Sequence, residues 1–103
     1  MIHSERLLTQ YIELKKEAPD LLLLMQVGVF MQINGPDAEK AAQLAGLKLT
    51  LAGEPGHPQL WCGFPLSGLD KYVGKFLRNQ VSVAIAFQKP DKSRAITECI
   101  RLA

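Results

Sequence analysis

The segment LLLLMQVGVFMQIN, residues 21 to 34, decides how this chain folds. Its first half, Leu21–Val27, is a continuous apolar run, the pattern of a strand buried on both faces. A Val-Gly-Val step follows, and Gly28 marks a tight turn into a second strand over Val29–Asn34, making a hairpin. Alternation places Val29, Met31 and Ile33 on one face as core. Phe30, Gln32 and Asn34 fall on the other face, which is expected to be wet. The Phe30 ring would then stand bare beside an amide, and that placement asks for a reason.

Upstream, residues 4 to 18 read as a helix. Ser4 is a good N-cap, Glu5 suits the first turn, and Leu7, Leu8, Tyr11, Ile12 and Leu14 form an apolar stripe. Pro19 disfavours helical geometry at Ala18 and ends it. Downstream, Gly35-Pro36 leads into a helix over Asp37–Ala45 that Gly46 stops. Leu47–Leu51 alternates and reads as a third strand. AGEPGHP, residues 52 to 58, holds two prolines and two glycines and reads as a loop. Leu60–Phe64 is a fourth strand, and Leu66–Asn79 a helix with Ser67 as its cap and Leu69, Tyr72, Val73, Phe76 and Leu77 as its core stripe. Val81–Phe87 is a β-branched central strand, KPDKS a turn, and Ile96–Leu102 the last strand. The expected architecture is α/β (α+β): one mixed sheet of about six strands flanked by about three helices, in a single domain over residues 1–103.

The composition fits that reading. The chain has 103 residues, 48% hydrophobic and 21% charged, enough for one core and too few for two. A net charge of +2 permits a local basic strip without demanding one. Cys62 and Cys99 lack metal-ligand spacing and read as reduced, buried thiols. The start of the chain does not read as a signal peptide, and the Leu21–Met25 run is too short to cross a bilayer, so a cytoplasmic protein without membrane contact is expected. No P-loop or nucleophile elbow occurs, and His3 and His57 have no partner at ligand spacing. Glu54 and Asp70 are not brought together by anything in the sequence. A binding protein without enzymatic activity, metal or cofactor is the expectation.

Three stretches taken in order carry a resemblance: LLLLMQVGVFMQI, then DAEKAAQLAGLKLTL, then GFPLSGLDKYVGKFLRNQVSVAIAFQ. Gly28, Phe30 and Gln32, Asp37-Ala38, Leu49-Thr50, Gly63 and Pro65, Tyr72 and Lys75, and Val83-Ala84-Ile85 with Gln88 follow one another in one register over residues 7 to 102. The chain resembles the N-terminal mismatch-recognition domain of bacterial MutS. The resemblance implies a mixed sheet with surrounding helices and a phenylalanine that enters the minor groove and stacks on a mispaired or unpaired base. An acidic residue two positions on hydrogen-bonds that base. Phe30 and Gln32 stand at those positions. An apolar wedge must offset a few kcal/mol of unstacking per step, a cost that falls where bases already stack and pair poorly.

This sequence departs from the family in three respects. Gln32 replaces the usual glutamate, and an amide donates as well as accepts. Val29 and Phe87 replace an aspartate and a glutamate. The sequence carries nothing that reads as a connector, lever, clamp or ATPase, so weak binding with modest salt dependence is expected. Candidate phosphate contacts are Lys48, Lys71, Lys75 and Arg78, along with the 52–58 segment expected to be a flexible loop. The expected partner is mismatched or distorted double-stranded DNA, with a separately encoded clamp or ATPase protein or a homodimer partner beside it. Two alternatives remain open: a protein-interaction module using Phe30 as an anchor, and a single-strand or RNA binder that stacks bases on the ring.

Overall fold

The computed structural model describes residues 5–54 and 57–102. Its order is α1 (Glu5–Glu17), β1 (Leu22–Val27), β2 (Phe30–Asn34), α2 (Gly35–Ala45), β3 (Thr50–Glu54), β4 (His57–Pro65), a 3₁₀ turn (Leu66–Gly68), α3 (Leu69–Arg78), β5 (Val83–Gln88) and β6 (Arg94–Ile100). The six strands form one sheet in the order β3-β4-β2-β1-β5-β6. β1 pairs in parallel with β5 and antiparallel with β2, and every other pairing is antiparallel. The architecture is the expected mixed sheet with three helices.

The unbroken apolar run of β1 is explained by its surroundings. Leu22 and Leu24 join Met31, Ile33, Phe64, Val73, Phe76, Val83 and Ile85 in a core beneath α2 and α3. Leu21, Leu23, Met25 and Val27 face the other way, into a second core with Leu7, Tyr11, Leu14 and Ala18. Both faces of the strand are dry except at Gln26, near its end, which is half-buried. Alanines at 38, 41 and 45 let α2 lie close on the sheet. Its C-terminus closes at Gly46, whose left-handed backbone (φ +69°) sends an N–H to the Ala42 carbonyl.

Several expectations shift. In α1 the buried stripe is Leu7, Tyr11 and Leu14, continued by Ala18 just past its end; Ile12 is exposed. The strand expected at Leu47–Leu51 begins only at Thr50, because α2 and its cap must first carry the chain to the sheet edge. The segment expected to be a loop instead pairs, Ala52 with Gln59 and Glu54 with His57, as backbone ladder overrides the glycine and proline signals. Residues 55 and 56, at its centre, lie outside the described residues, as does the Ser4 cap. Ser67 makes no cap; it sits within the 3₁₀ turn and α3 starts from Gly68. Cys62 is buried, and burial pushes its thiol up to about 11, whereas Cys99 is exposed on the edge strand β6.

One ionic node binds these parts. The Asp37 carboxylate accepts from the Leu23 N–H at 3.1 Å, lies 3.0 Å from the Tyr11 hydroxyl, and pairs with Lys15 at 2.8 Å. The Tyr11 hydroxyl also lies 2.9 Å from the Leu23 carbonyl, so one proton serves two acceptors. Burial first, and the Asp37 charge second, raise the Tyr11 hydroxyl well above its ordinary value of 10. Above about pH 10 the unfolded chain therefore releases a proton that the native state retains, and stability falls as pH rises. Tyr11→Phe should flatten that alkaline loss in melting curves while costing about 1–3 kcal/mol at neutral pH, since it strips a donor from buried acceptors.

Candidate functional site

The hairpin that carries Phe30 turns on two residues, Gly28 and Val29, between the paired Val27 and Phe30. Gly28 has φ +61° and Val29 does not have a positive φ, the sign pattern of a type II′ turn. Any side chain at 28 would be strained there. Val29, expected in the core, is instead 71% exposed, because the turn takes it out of the strand and the alternation starts at Phe30. Met31 and Ile33 are buried as expected.

Phe30 opens β2 half-buried, opposite Val27 on one side and Pro65 on the other. By register it shares its face with Gln32 and Asn34, the face toward α1. That face is not wet beyond the ring. Gln32 is 0% exposed and Asn34 2%. Gln32 Nε2 donates to Asn34 Oδ1 at 3.3 Å, while Gln32 Oε1, Asn34 Nδ2 and Trp61 Nε1 are buried with no hydrogen-bond partner. Trp61 pairs directly with Asn34 across the β2–β4 ladder. The alternation of hydrophobicity in the sequence carries no sign of this, because two amides normally mark a solvated face. Burial here comes from the packing around them.

The turn is tied down from three sides. The Gly28 N–H donates to Gln88 Oε1 at 2.8 Å, and Gln26 Nε2 donates to the Gly28 carbonyl at 2.9 Å. The Gln88 N–H donates to Gln26 Oε1 at 2.8 Å, and the Leu66 N–H to the Val29 carbonyl at 2.7 Å. Arg94 reaches across from β6, giving Nε to the Gln26 carbonyl at 2.5 Å and a terminal NH to Gln10 Oε1 at 2.7 Å. Burial, with Arg6 nearby, lowers its guanidinium from the ordinary value.

The four candidate cations do not gather at Phe30. Lys71 and Lys75 both stand over the Tyr72 ring, at 5.3 and 5.4 Å, and that ring stacks on Phe64 at 4.4 Å. They belong to α3, on the sheet face away from the Phe30 side chain, with Lys71 nearer the hairpin end. Lys48 and Arg78 lie at the opposite end. Lys48 precedes β3, whose first residue is level with Trp61 and Asn34, and Arg78 ends α3 just before β5 begins beside Leu22. Among the cations that share the hairpin end are Lys89 and Lys92 in the β5–β6 turn and Arg94, with Arg6 of α1 close to it. Their place follows from how β5 and β6 pair, which charge spacing along the chain does not reveal. Among the described residues no cluster suits a metal ion, and no helix is long and apolar enough to cross a membrane.

The geometry defines a small α+β module that presents an aromatic residue beside a pinned glycine turn, with no constellation of catalytic groups among the described residues. Its sequence matches the family model for MutS domain I over residues 5–101. It is also 40% identical, over 82 residues, to the DNA mismatch repair protein MutS of Thermus caldophilus, covering 80% of this chain and 10% of that protein. The chain belongs to the MutS domain I family. It spans about a tenth of the length of that relative.

The burial of Gln32 yields a direct test. Gln32→Glu places a carboxylate in a dry site, so its folded-state pKa is raised. The variant should melt well below wild type at pH 7, and the gap should narrow as pH falls toward about 4.3, the ordinary glutamate value. Gln32→Leu should cost less than Gln32→Glu at pH 7, because it buries no charge and exchanges one unpartnered acceptor, Gln32 Oε1, for another, Asn34 Oδ1.

Proposed function

We propose that this chain is a DNA-contacting module that recognises mismatched or distorted duplex, with Phe30 entering the minor groove and stacking on the displaced base. The observation that carries the reading is a half-buried aromatic at the first position after a pinned two-residue turn, in a chain of the MutS domain I family. An aromatic wedge works if it is held at an edge, free on one side and supported on the other, so that insertion does not require ordering the strand behind it. Phe30 is half-buried, with Val27 and Pro65 directly across from it on the neighbouring strands.

Gln32 takes the second role in this reading. Its Oε1 retains an unused acceptor site, and its Nε2 makes only a long bond to Asn34. Contact with a base requires the cover over Gln32 to part, so the amide engages after the ring has inserted. Lys89, Lys92 and Arg94, which share the hairpin end, are better placed for phosphates than Lys48 or Arg78. Lys71 and Lys75 flank from the α3 side. So few cations neutralise few phosphates, and binding should be weak and favoured by low salt. A separately encoded clamp or ATPase protein, or a second copy of the chain, would supply the remaining grip. Residues 1–103 act as one domain that binds DNA in the cytoplasm rather than catalysing a reaction.

Fluorescence anisotropy at low salt, with duplexes containing one mismatch or one unpaired base, should give tighter binding than perfect duplex by a small factor. Phe30→Ala should remove most of that preference, since stacking on a base is worth about 1–3 kcal/mol. Its melting temperature should fall by less than expected for a fully buried phenylalanine, whose truncation costs about 3–5 kcal/mol. A severe loss of stability with the preference intact in the folded fraction would sink the wedge. Tighter binding to single strands than to either duplex would favour the stacking-platform alternative.

A further inference from the structure

We propose that Gln26 and Gln88 form a clasp that fixes the Gly28 turn and thereby positions Phe30 before any ligand arrives. The inference rests on the wedge reading for its functional consequence, though not for the clasp itself. Central residues of a two-residue hairpin turn usually expose their N–H and C=O to water. Here the Gly28 N–H is held by Gln88 Oε1, its C=O by Gln26 Nε2, and the next C=O by the Leu66 N–H. The clasp closes on itself, because the Gln88 N–H returns to Gln26 Oε1. Its two members come from strands that are neighbours in the sheet but 62 residues apart in sequence. Arg94 anchors the Gln26 end by its bond to that residue's carbonyl.

This arrangement goes beyond holding a sheet together. The β1–β5 and β1–β2 ladders already fix the strands, and neither ladder includes the Gly28 peptide. The side-chain bonds act on the turn alone. A glycine turn left free would let the first residue of β2 swing, and the entropy of arresting it would be charged against binding. With both polar groups of Gly28 engaged, that ordering is complete in the free protein.

The two glutamines make different chemical demands, which gives the proposal a sharp signature. Gln88 serves the turn through Oε1, as an acceptor, so Gln88→Glu keeps the bond. Gln26 uses both ends of its amide, so Gln26→Glu keeps the acceptor but sets an oxygen against the Gly28 carbonyl. A general effect of added negative charge predicts no such asymmetry between two identical substitutions.

Amide hydrogen exchange followed by NMR on the whole chain reads the clasp without DNA. The Gly28 amide should be protected in wild type and in Gln88→Glu, and should exchange at least tenfold faster in Gln88→Ala. Gln26→Glu should also speed it, while the Leu24 and Ile85 amides stay as protected as in wild type. In the binding assay, the ratio of mismatched to perfect duplex affinity should fall at least threefold in Gln26→Glu and Gln88→Ala and hold in Gln88→Glu. The ratio is used because added charge weakens both duplexes alike. Rapid Gly28 exchange in wild type, or equal exchange in all four proteins, overturns the clasp. Fast exchange in the variants with an unchanged ratio overturns its positioning role. A wild-type protein with no preference for mismatched duplex overturns the wedge reading and with it the positioning role, and Gly28 exchange then judges the clasp alone.

Discussion

The Asp37 carboxylate is the constraint on which the rest of the structure depends. The β1–β2 pairing stops at Met25 opposite Gln32, and β2 turns into α2 after Asn34, so Leu23 lies beyond the last pair. Asp37, in the first turn of α2, supplies the acceptor for the Leu23 N–H. The same oxygen takes the Tyr11 hydroxyl and the Lys15 ammonium from α1. The Lys15 ammonium also meets the Leu21 carbonyl, at the entry to β1. One side chain therefore joins a helix on each sheet face to the central strand. Buried donors and acceptors are costly to leave unmade, so removal of any member would reach beyond its own contact.

From that node the sheet leads to the opposite end, where the hairpin is held by a second polar arrangement. The two differ in kind. The Asp37 node is ionic and part-buried, and it organises tertiary packing. The glutamine pair is neutral and half-exposed, and it acts on one turn. Between them lie the two buried amides of β2 and the Trp61 indole, three unpartnered polar atoms on adjacent positions. Each such group carries a penalty of about 1–3 kcal/mol, and proteins keep that kind of strain where a ligand or a movement can relieve it. Gln32, two residues from the half-buried Phe30 ring, is the member nearest the hairpin end.

Sequence by itself determined a good deal. The largely apolar run before Gly28 has the pattern of a strand dry on both faces, which suits a single sheet covered by helices on each side. Gly28 fixed the hairpin, and Gly46 the end of α2, because each needs a left-handed backbone. The order of short motifs identified the family. These features are local or periodic, and their physics resides in neighbouring residues. Tertiary structure alone decided the rest. Val29 left the core because a two-residue turn consumed it before alternation began. Gln32 and Asn34 became dry because packing from distant elements closed over them. Gln26, Gln88 and Arg94 met through strand pairing across more than 60 residues. Lys89 and Lys92 reached the hairpin end, and Lys48 and Arg78 the far end, through strand direction. A chain's sequence fixes which faces are apolar, but which polar groups meet depends on how strands cross, and no local spacing encodes that.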